Sequence, residues 1–185
     1  RTGNRSYSAL RSAIIAQYLH NKGVPVENMR VANWETEKPI IDCSEKPCTE
    51  EERRLNRRAQ VRILDPEEVP PAPDFGFEYG FNQWKLDQNA ENVAYRLLKT
   101  LQGSSAVEVK IEGFTDTWGS FGGNKRISEL RAKNLQNLLI SRGVDDSKIS
   151  LESHGEIIPT GDCILYYPCP IKSRTQNRRV EVRLQ

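Results

Sequence analysis

Two oppositely charged residues in the second half of the chain, Asp116 and Arg131, are the strongest candidates for binding chemistry. Asp116 follows a run of alternating apolar and charged residues, and Arg131 lies among apolar residues at helical spacing. A guanidinium in an apolar stripe is costly unless an anion is close to it. A carboxylate and a guanidinium at one sheet edge would suit a zwitterion, because the first binds an ammonium group and the second a carboxylate.

Two further polar residues are expected at the same edge. Asn124 opens the predicted helix that carries Arg131 and is the last residue of the glycine-rich segment GSFGGN. Arg178 precedes the last predicted strand in phase with its apolar residues, so its side chain should lean toward the helix-covered face. Two alternatives remain open at this point: Asp116 and Arg131 pair with each other, or Asp116 caps a helix.

The second half of the chain has the apolar periodicity of a complete α/β module. Period-2 alternation predicts strands, and apolar residues at helical spacing predict helices, one of which buries a stripe containing Arg131. The expected order is β-α-β-α-β-β, with room for a short helix before the final strand, as a mixed α/β sandwich with helices on one sheet face. The predicted elements are strand Phe77–Asn82, helix Asp87–Gln102, a strand from Val107 to Glu112, a helix ending near Ser141 with the stripe Ile127, Leu130, Leu135 and Leu138, a strand near Ile149–Ser153, and the last strand Arg179–Leu184.

The chain also contains an internal repeat. Gly3–Val24 aligns with Gly123–Val144 without a gap at an offset of 120 residues, and Asn4 and Arg11 thereby match Asn124 and Arg131. Such self-similarity indicates a tandem duplication. We therefore predict three parts, namely the later two-thirds of a module in residues 1–64, a proline-rich linker in residues 65–76 and a complete module in residues 77–185.

The first copy should repeat the elements of the second. Thr49 and Glu52 form a capping-box pattern that predicts a short helix. No counterpart of Asp116 is present in this copy, so by itself it cannot complete the site. The remaining predictions are a helix over Ser6–Asn21 with Tyr7, Ile14, Ile15 and Tyr18 on the core-facing stripe that carries Arg11, and strands near Met29–Asn33 and over Ala59–Ile63.

The four cysteines form two close pairs, Cys43 with Cys48 and Cys163 with Cys169, each in a loop rich in proline and aspartate. Two disulfides would imply an oxidising compartment. A four-cysteine zinc site is the competing interpretation, although neither spacing is the short gap typical of zinc-binding pairs. Free buried thiols are the third alternative.

Several classes of function lack any sequence signal. A net charge of +2 and the absence of a nucleic-acid-binding motif give no reason to expect nucleic acid as a partner. His20 and His154 are not in a catalytic or metal-ligand pattern, and GSFGGN lacks the lysine of a P-loop. We expect no enzyme activity, catalytic residue, metal or cofactor. No apolar run has the roughly 18 residues of a membrane helix.

The motifs of the second copy resemble the OmpA-like C-terminal domain family. The sequence FTDTWGS is followed by FGGN, KRISELRA and KNL, and the chain ends with NRRVEVRL. These elements occur in the order typical of the family, over about Phe77–Leu184. The resemblance implies non-covalent binding of peptidoglycan, in which Asp116 and Arg131 hold the amino and carboxylate groups of diaminopimelate in the stem peptide. It also implies that Asn124, Asn82 and Arg178 line the site.

The same resemblance implies a cellular setting. It supports a Cys163–Cys169 disulfide, a location in the periplasm and a role in linking an outer-membrane element to the cell wall, with any membrane anchor upstream of residue 1. Trp118 departs from the family, since many relatives have a small polar residue there, and it could pack over the stem peptide or obstruct it. The alternative is an interaction scaffold that kept the fold but lost peptidoglycan binding.

Overall fold

The computed structural model describes residues 7–34, 39–68, 71–102, 107–166 and 168–185. Asn4, the predicted counterpart of Asn124, and Ser6, the predicted start of the first helix, lie outside these residues. None of the described helices has the length and hydrophobicity of a membrane-spanning segment. The main elements are α1 (Tyr7–Asn21), α2 (Glu50–Asn56), β1 (Phe75–Glu78), α3 (Gln88–Gln102), β2 (Val109–Phe114), α4 (Phe121–Ser141), β3 (Ile149–Gly155) and β4 (Arg179–Leu184).

The four strands form one mixed sheet in the spatial order β1-β4-β2-β3 among the described residues. The last strand, β4, is antiparallel to both β1 and β2, whereas β2 and β3 are parallel. Both α3 and α4 pack on one face of the sheet, where they cover the apolar side chains of all four strands. The predicted β-α-β-α-β-β order and the placement of helices on one face are therefore confirmed.

Helix α4 approaches the sheet closely because small residues face it. Ser128 and Ala132 are buried beside Leu135 and Leu139, and Gly113 of β2 lies opposite Ser128. The predicted stripe was partly wrong: Arg131 and Leu135 are fully buried, but Ile127, Leu130 and Leu138 are only half-buried at its margins. Helix α4 therefore turns its small side chains toward the sheet, because they allow its backbone to approach Gly113 closely.

Helix α1 buries a different face from the one predicted. Its buried residues are Ala9, Ala13 and Ala16, whereas Tyr7, Ile14 and Tyr18 of the predicted stripe are exposed. The helix packs on the second half of the chain, where Ala16 and Met29 join Ile164 and Leu165 in a small apolar cluster. The prediction failed because no described sheet lies against the bulky face.

The two strands predicted in the first copy are absent from the described residues. A short 3₁₀-helix occupies Val26–Asn28, and the chain from Met29 to Asn33 is not part of a strand. Residues 59–63 are also irregular, and Ile63 is 94% exposed. An alternating pattern forms a strand only where a neighbour accepts its hydrogen bonds. Strand β4 lies between β1 and β2, whereas the described part of residues 1–64 contains no strand that could act as such a neighbour.

The two cysteine loops nevertheless share their local structure. Disulfides join Cys43 to Cys48 and Cys163 to Cys169, which confirms both predicted pairs. Asn56 accepts a hydrogen bond from the Ile40 amide at 2.8 Å, and Asn177 accepts one from the Thr160 amide at 2.8 Å. Arg53 donates to the Cys48 carbonyl at 2.9 Å, and Arg174 donates to that of Cys169 at 3.0 Å. The predicted capping box of Thr49 and Glu52 also opens α2.

Candidate ligand-binding site

The candidate site lies where β2 ends and α4 begins. Asp116 follows β2 and closes a tight turn, because its Oδ1 accepts a hydrogen bond from the Trp118 amide at 2.9 Å. Helix α4 starts at Phe121, with Ser120 as its N-terminal cap, and the cap accepts from the Gly123 amide at 3.1 Å. Most of the glycine-rich segment GSFGGN therefore forms the first turn of α4 instead of a loop. Its small residues leave space beside the N-terminal end of the helix.

Asp116 is paired with Arg178 rather than with Arg131. The Arg178 guanidinium donates to Asp116 Oδ2 at 2.8 Å, to the Tyr79 carbonyl at 3.0 Å and to Thr175 Oγ1 at 2.8 Å. Asp116 is only 3% exposed. The structure thus removes both simple alternatives for Asp116, a direct pair with Arg131 and a helix cap, and it places Arg178 on the helix-covered side, as its strand phase predicts.

Arg131 is held by backbone oxygens. Its guanidinium donates to the carbonyls of Gln83 and Phe114, both at 2.8 Å, and to that of Gly80 at 3.4 Å. The nitrogens Nε, Nη1 and Nη2 each donate one of these bonds, so three of the five guanidinium N–H groups have a partner. The residue is 1% exposed, and burial lowers its pKa to about 10, against the opposing influence of Tyr79 and Asp116. Arg131 therefore remains a cation at neutral pH.

The two asparagines come from different parts of the fold. Asn124, in the first turn of α4, is buried and donates to Glu156. Asn82 was predicted at the end of a strand over Phe77–Asn82, but β1 covers Phe75–Glu78 and Asn82 lies in the following turn. Its φ of 54° is in the left-handed region, which asparagine tolerates better than most residues and which a strand excludes.

One cavity of about 320 Å³ joins these side chains. All five residues proposed from the sequence line it: Asn82, Asp116, Asn124, Arg131 and Arg178. Thr115 lines it too, and its buried hydroxyl has no hydrogen-bond partner among the described residues. Such a group is a candidate for bonding a ligand. Sequence reasoning missed the role of Thr115, although its position beside Asp116 in the FTD motif was a usable signal.

Aromatic and cationic side chains form the outer part of the cavity. Trp118 is 56% exposed, and its ring makes an edge contact with Phe81 at 6.1 Å between centroids. The Arg174 guanidinium lies over the same indole, 4.6 Å from its centre. Trp118 thus forms a wall of the cavity and does not fill it. Sequence reasoning missed Phe81, which carries no motif and is brought here by the turn after β1.

The charges around the cavity favour an anionic ligand. Among the described lining residues there are three cations, Arg126, Arg131 and Arg178, against the single carboxylate of Asp116. Because Asp116 is already paired with Arg178, Arg131 is the cation best placed to attract a negative group. A carboxylate-bearing ligand with an ammonium group nearby fits this set.

A second charged cluster lies on the opposite face of the sheet. Oxygen and nitrogen atoms of Glu112, Glu152 and His154 lie within 4.8 Å of one another, a grouping that could hold a metal ion. However, Lys110 Nζ lies 3.3 Å from Glu112 and 3.0 Å from Glu152, and Arg183 also pairs with Glu112. The carboxylates therefore already have cationic partners, and the cluster is an ion-pair network.

This ion-pair network should make the free energy of unfolding depend on pH. Burial alone would raise the pKa of Glu112, but the hydrogen bond with His154 and the charges of Lys110 and Arg183 outweigh it and lower the pKa from 4.5 to about 2. The stabilisation is therefore complete above pH 4.5 and is lost as the pH falls through 2. Between pH 4.5 and 2, we expect the free energy of unfolding to fall by about 2–3 kcal/mol more in the wild type than in Glu112→Gln. Urea unfolding at several pH values measures this, and equal pH slopes would contradict it.

Comparison with known proteins is consistent with this architecture. The OmpA family model matches residues 78–162. Outer membrane protein A of Citrobacter freundii is 32% identical over 114 residues, which cover 58% of this chain and 48% of that protein. The probable lipoprotein YiaD of Escherichia coli is 34% identical over 76 residues, covering 41% of this chain and 32% of that protein. The chain thus spans less than half the length of these two relatives.

A crystal structure has the same fold. The peptidoglycan-associated lipoprotein from Burkholderia pseudomallei superposes with a TM-score of 0.55 at 22% identity, over 65% of this chain and 100% of that one. At this identity the match speaks for the fold alone. The OmpA family model thus matches the segment that holds β2, α4 and β3, and the crystal structure shares the fold of this chain.

Proposed function

We propose that the chain is a non-catalytic binding module that attaches to peptidoglycan through the diaminopimelate of the stem peptide. In this proposal the ligand carboxylate binds Arg131, and the ligand ammonium binds Asp116 together with the Thr115 hydroxyl. Asn124, Asn82 and Arg178 complete the walls. The observation that carries the proposal is that one cavity unites Asp116 and Arg131, which are separately bonded and not paired with each other.

The chemistry of the cavity supports this ligand class. Each terminal nitrogen of Arg131 keeps one N–H beyond its bond to the Phe114 or Gly80 carbonyl, which suits a carboxylate with two oxygens. The cationic surplus attracts the free carboxylates of a stem peptide. The relatives named outer membrane protein A and peptidoglycan-associated lipoprotein point to the same cell-envelope setting. We accordingly propose a periplasmic location and a tether between an outer-membrane element and the wall.

The direct test is co-sedimentation of the whole chain with insoluble peptidoglycan that contains diaminopimelate. Asp116→Asn keeps the shape and the turn but removes the negative charge, so we expect binding at least about tenfold weaker, the size of one lost charge-assisted bond. Asp145→Asn is the matched control, since Asp145 caps a 3₁₀-helix beyond the far end of α4. Peptidoglycan with lysine in place of diaminopimelate lacks the side-chain carboxylate and should bind weakly.

Two results would contradict the proposal. The first is equal co-sedimentation of the wild type and Asp116→Asn when thermal unfolding shows that both are folded. The second is equal binding of the diaminopimelate and lysine forms of peptidoglycan, because the carboxylate that Arg131 is proposed to hold is present in only one of them.

We further propose that the chain arose by tandem duplication, with a partial module in residues 1–64, a linker in residues 65–76 and the complete module in residues 77–185. The matching disulfides, the Asn56 and Asn177 clamps and the Arg53 and Arg174 bonds support this, because they recur at sequence offsets of 120 or 121 residues. In the partial module Arg57, the counterpart of Arg178, pairs with exposed Glu50. Ligand binding is therefore assigned to the complete module.

One observation favours the alternative of a protein-interaction scaffold. The first segment exposes large apolar side chains on α1 and in the irregular residues after α2. Isothermal titration with diaminopimelate separates the two functions. Heat of binding that disappears in Asp116→Asn supports the wall-binding module, whereas no heat at millimolar ligand supports the scaffold. The exposed apolar residues are Tyr7, Ile14, Tyr18, Val61 and Ile63.

A further inference from the structure

A second cavity of about 350 Å³ adjoins the candidate site. It is a groove between the edge strand β1 and the first turns of α3. Arg178 lines both cavities and forms the wall between them, with its guanidinium bonded to Asp116 on one side and to the Tyr79 carbonyl on the other. The floor of the groove is apolar and consists of Phe77, Ala90 and Val93.

Tyr79 is the unusual residue of this groove. It is 4% exposed and lines the cavity, yet its hydroxyl has no hydrogen-bond partner among the described residues. The rest of the residue is well held, because its amide donates to the Arg178 carbonyl at 2.8 Å and its ring lies 5.0 Å from the Arg131 guanidinium carbon. A buried hydroxyl without a partner costs stability, so its retention beside a cavity points to a bond made with a ligand.

The groove differs in charge from the first cavity. Glu78 and Asp87 line it, and Arg178, the one cation among the described lining residues, is already paired with Asp116. Asp87 uses Oδ1 to cap α3 through the Ala90 amide at 2.9 Å. Burial raises the pKa of Tyr79, and the charge of Asp87 adds to the rise, so the hydroxyl stays protonated at neutral pH and can donate. The groove therefore disfavours carboxylates and suits neutral or cationic hydrogen-bonding groups.

We propose that this groove is a second subsite, which binds a neutral hydrogen-bonding part of the same ligand next to the group held by Arg131. The proposal rests on the proposed function, because the ligand must pass the shared wall at Arg178. The chemistry on offer, one hydroxyl and two carboxylates above an apolar floor, suits the amide groups of a stem peptide or the hydroxyl and acetamido groups of an amino sugar. Both are parts of peptidoglycan.

The test compares three probes by isothermal titration: free diaminopimelate, a stem tetrapeptide containing it, and the same tetrapeptide attached to its disaccharide. Tyr79→Phe removes only the hydroxyl. We expect an unchanged or higher unfolding midpoint, because an unsatisfied buried group is lost. We also expect the affinity for an extended probe, relative to that for free diaminopimelate, to fall about fivefold, as for one neutral hydrogen bond. Tyr95→Phe is the matched control, on α3 but 68% exposed and outside the groove.

The probes also identify the occupant. If Tyr79→Phe loses relative affinity already for the tetrapeptide, the groove binds the peptide. If it loses relative affinity only for the disaccharide form, the groove binds the sugar. An unchanged relative affinity for both extended probes would overturn the subsite while leaving diaminopimelate binding intact. Failure of the wild type to bind any probe would overturn the proposed function, and the subsite with it.

Discussion

Arg131→Ala is expected to lower the free energy of unfolding by about 3–5 kcal/mol, as for removal of one partner from a buried charged network. The guanidinium supplies donors to the carbonyls of Gln83, Phe114 and Gly80, which would all lose them at once. It also lies against the Tyr79 ring, so a cavity would form beside the core. Urea unfolding at neutral pH measures the loss.

Arg126→Ala provides the control for this effect. Arg126 lines the same cavity but is exposed, so its removal should change stability by no more than about 0.5 kcal/mol. Equal stability of Arg131→Ala and the wild type would contradict the role of Arg131 as a structural donor. The expected instability also means that loss of peptidoglycan binding in Arg131→Ala does not identify a ligand contact. Asp116→Asn, which preserves the turn, is the sharper probe of binding.

Gly113→Ala should be the most damaging single methyl addition to the module. A Cβ at this position would overlap the backbone oxygen of Ser128, which is fixed within α4. Backbone cannot yield as a flexible side chain can, so helix and strand would have to separate. We expect a loss of at least about 3 kcal/mol, at the upper end of the range for overpacked cores. Thermal and urea unfolding of the purified chain would show it.

The matched substitution in the same sheet is Gly76→Ala. A Cβ at Gly76 has no atom within 4 Å, so this change should be neutral or slightly stabilising, because alanine restricts the unfolded chain more than glycine does. If Gly113→Ala were as stable as Gly76→Ala, the close approach of α4 to β2 would be wrong. The displacement of α4 would also move Asn124 and Arg131, so the cavity and the core depend on the same contact.

The first copy shows where sequence reasoning failed. Its pattern repeats that of the second copy, and the cysteine loop and the capping box formed as predicted, because their bonds join residues that are close in sequence. The strands near Met29–Asn33 and over Ala59–Ile63 did not form, and α1 turned its alanine face inward. Those features require partners that lie far away in sequence, and a local pattern carries no information about whether a partner is present.

The candidate site likewise combines features that the sequence predicted with features that it did not predict. Five of the residues that line the cavity were named from motif, spacing and the family resemblance, but their bonding was not predicted. A direct pair of Asp116 and Arg131 was one alternative left open by the sequence, whereas in the structure Arg178 binds the carboxylate and three backbone carbonyls bind the Arg131 guanidinium. The unpartnered hydroxyls of Thr115 and Tyr79 also became visible only in three dimensions.

The β-α-β-α-β-β order of the second half, both cysteine pairs and the polar residues that meet at one sheet edge were predictable from the amino-acid sequence. These follow from apolar periodicity and from short-range chemistry, which each segment carries on its own. The acceptors of Arg131, the buried face of α1 and the position of Arg178 between two cavities became known only from the three-dimensional fold. Hydrogen bonds between distant segments depend on how closely their backbones approach, and here that approach was set by Gly113 and the small residues of α4.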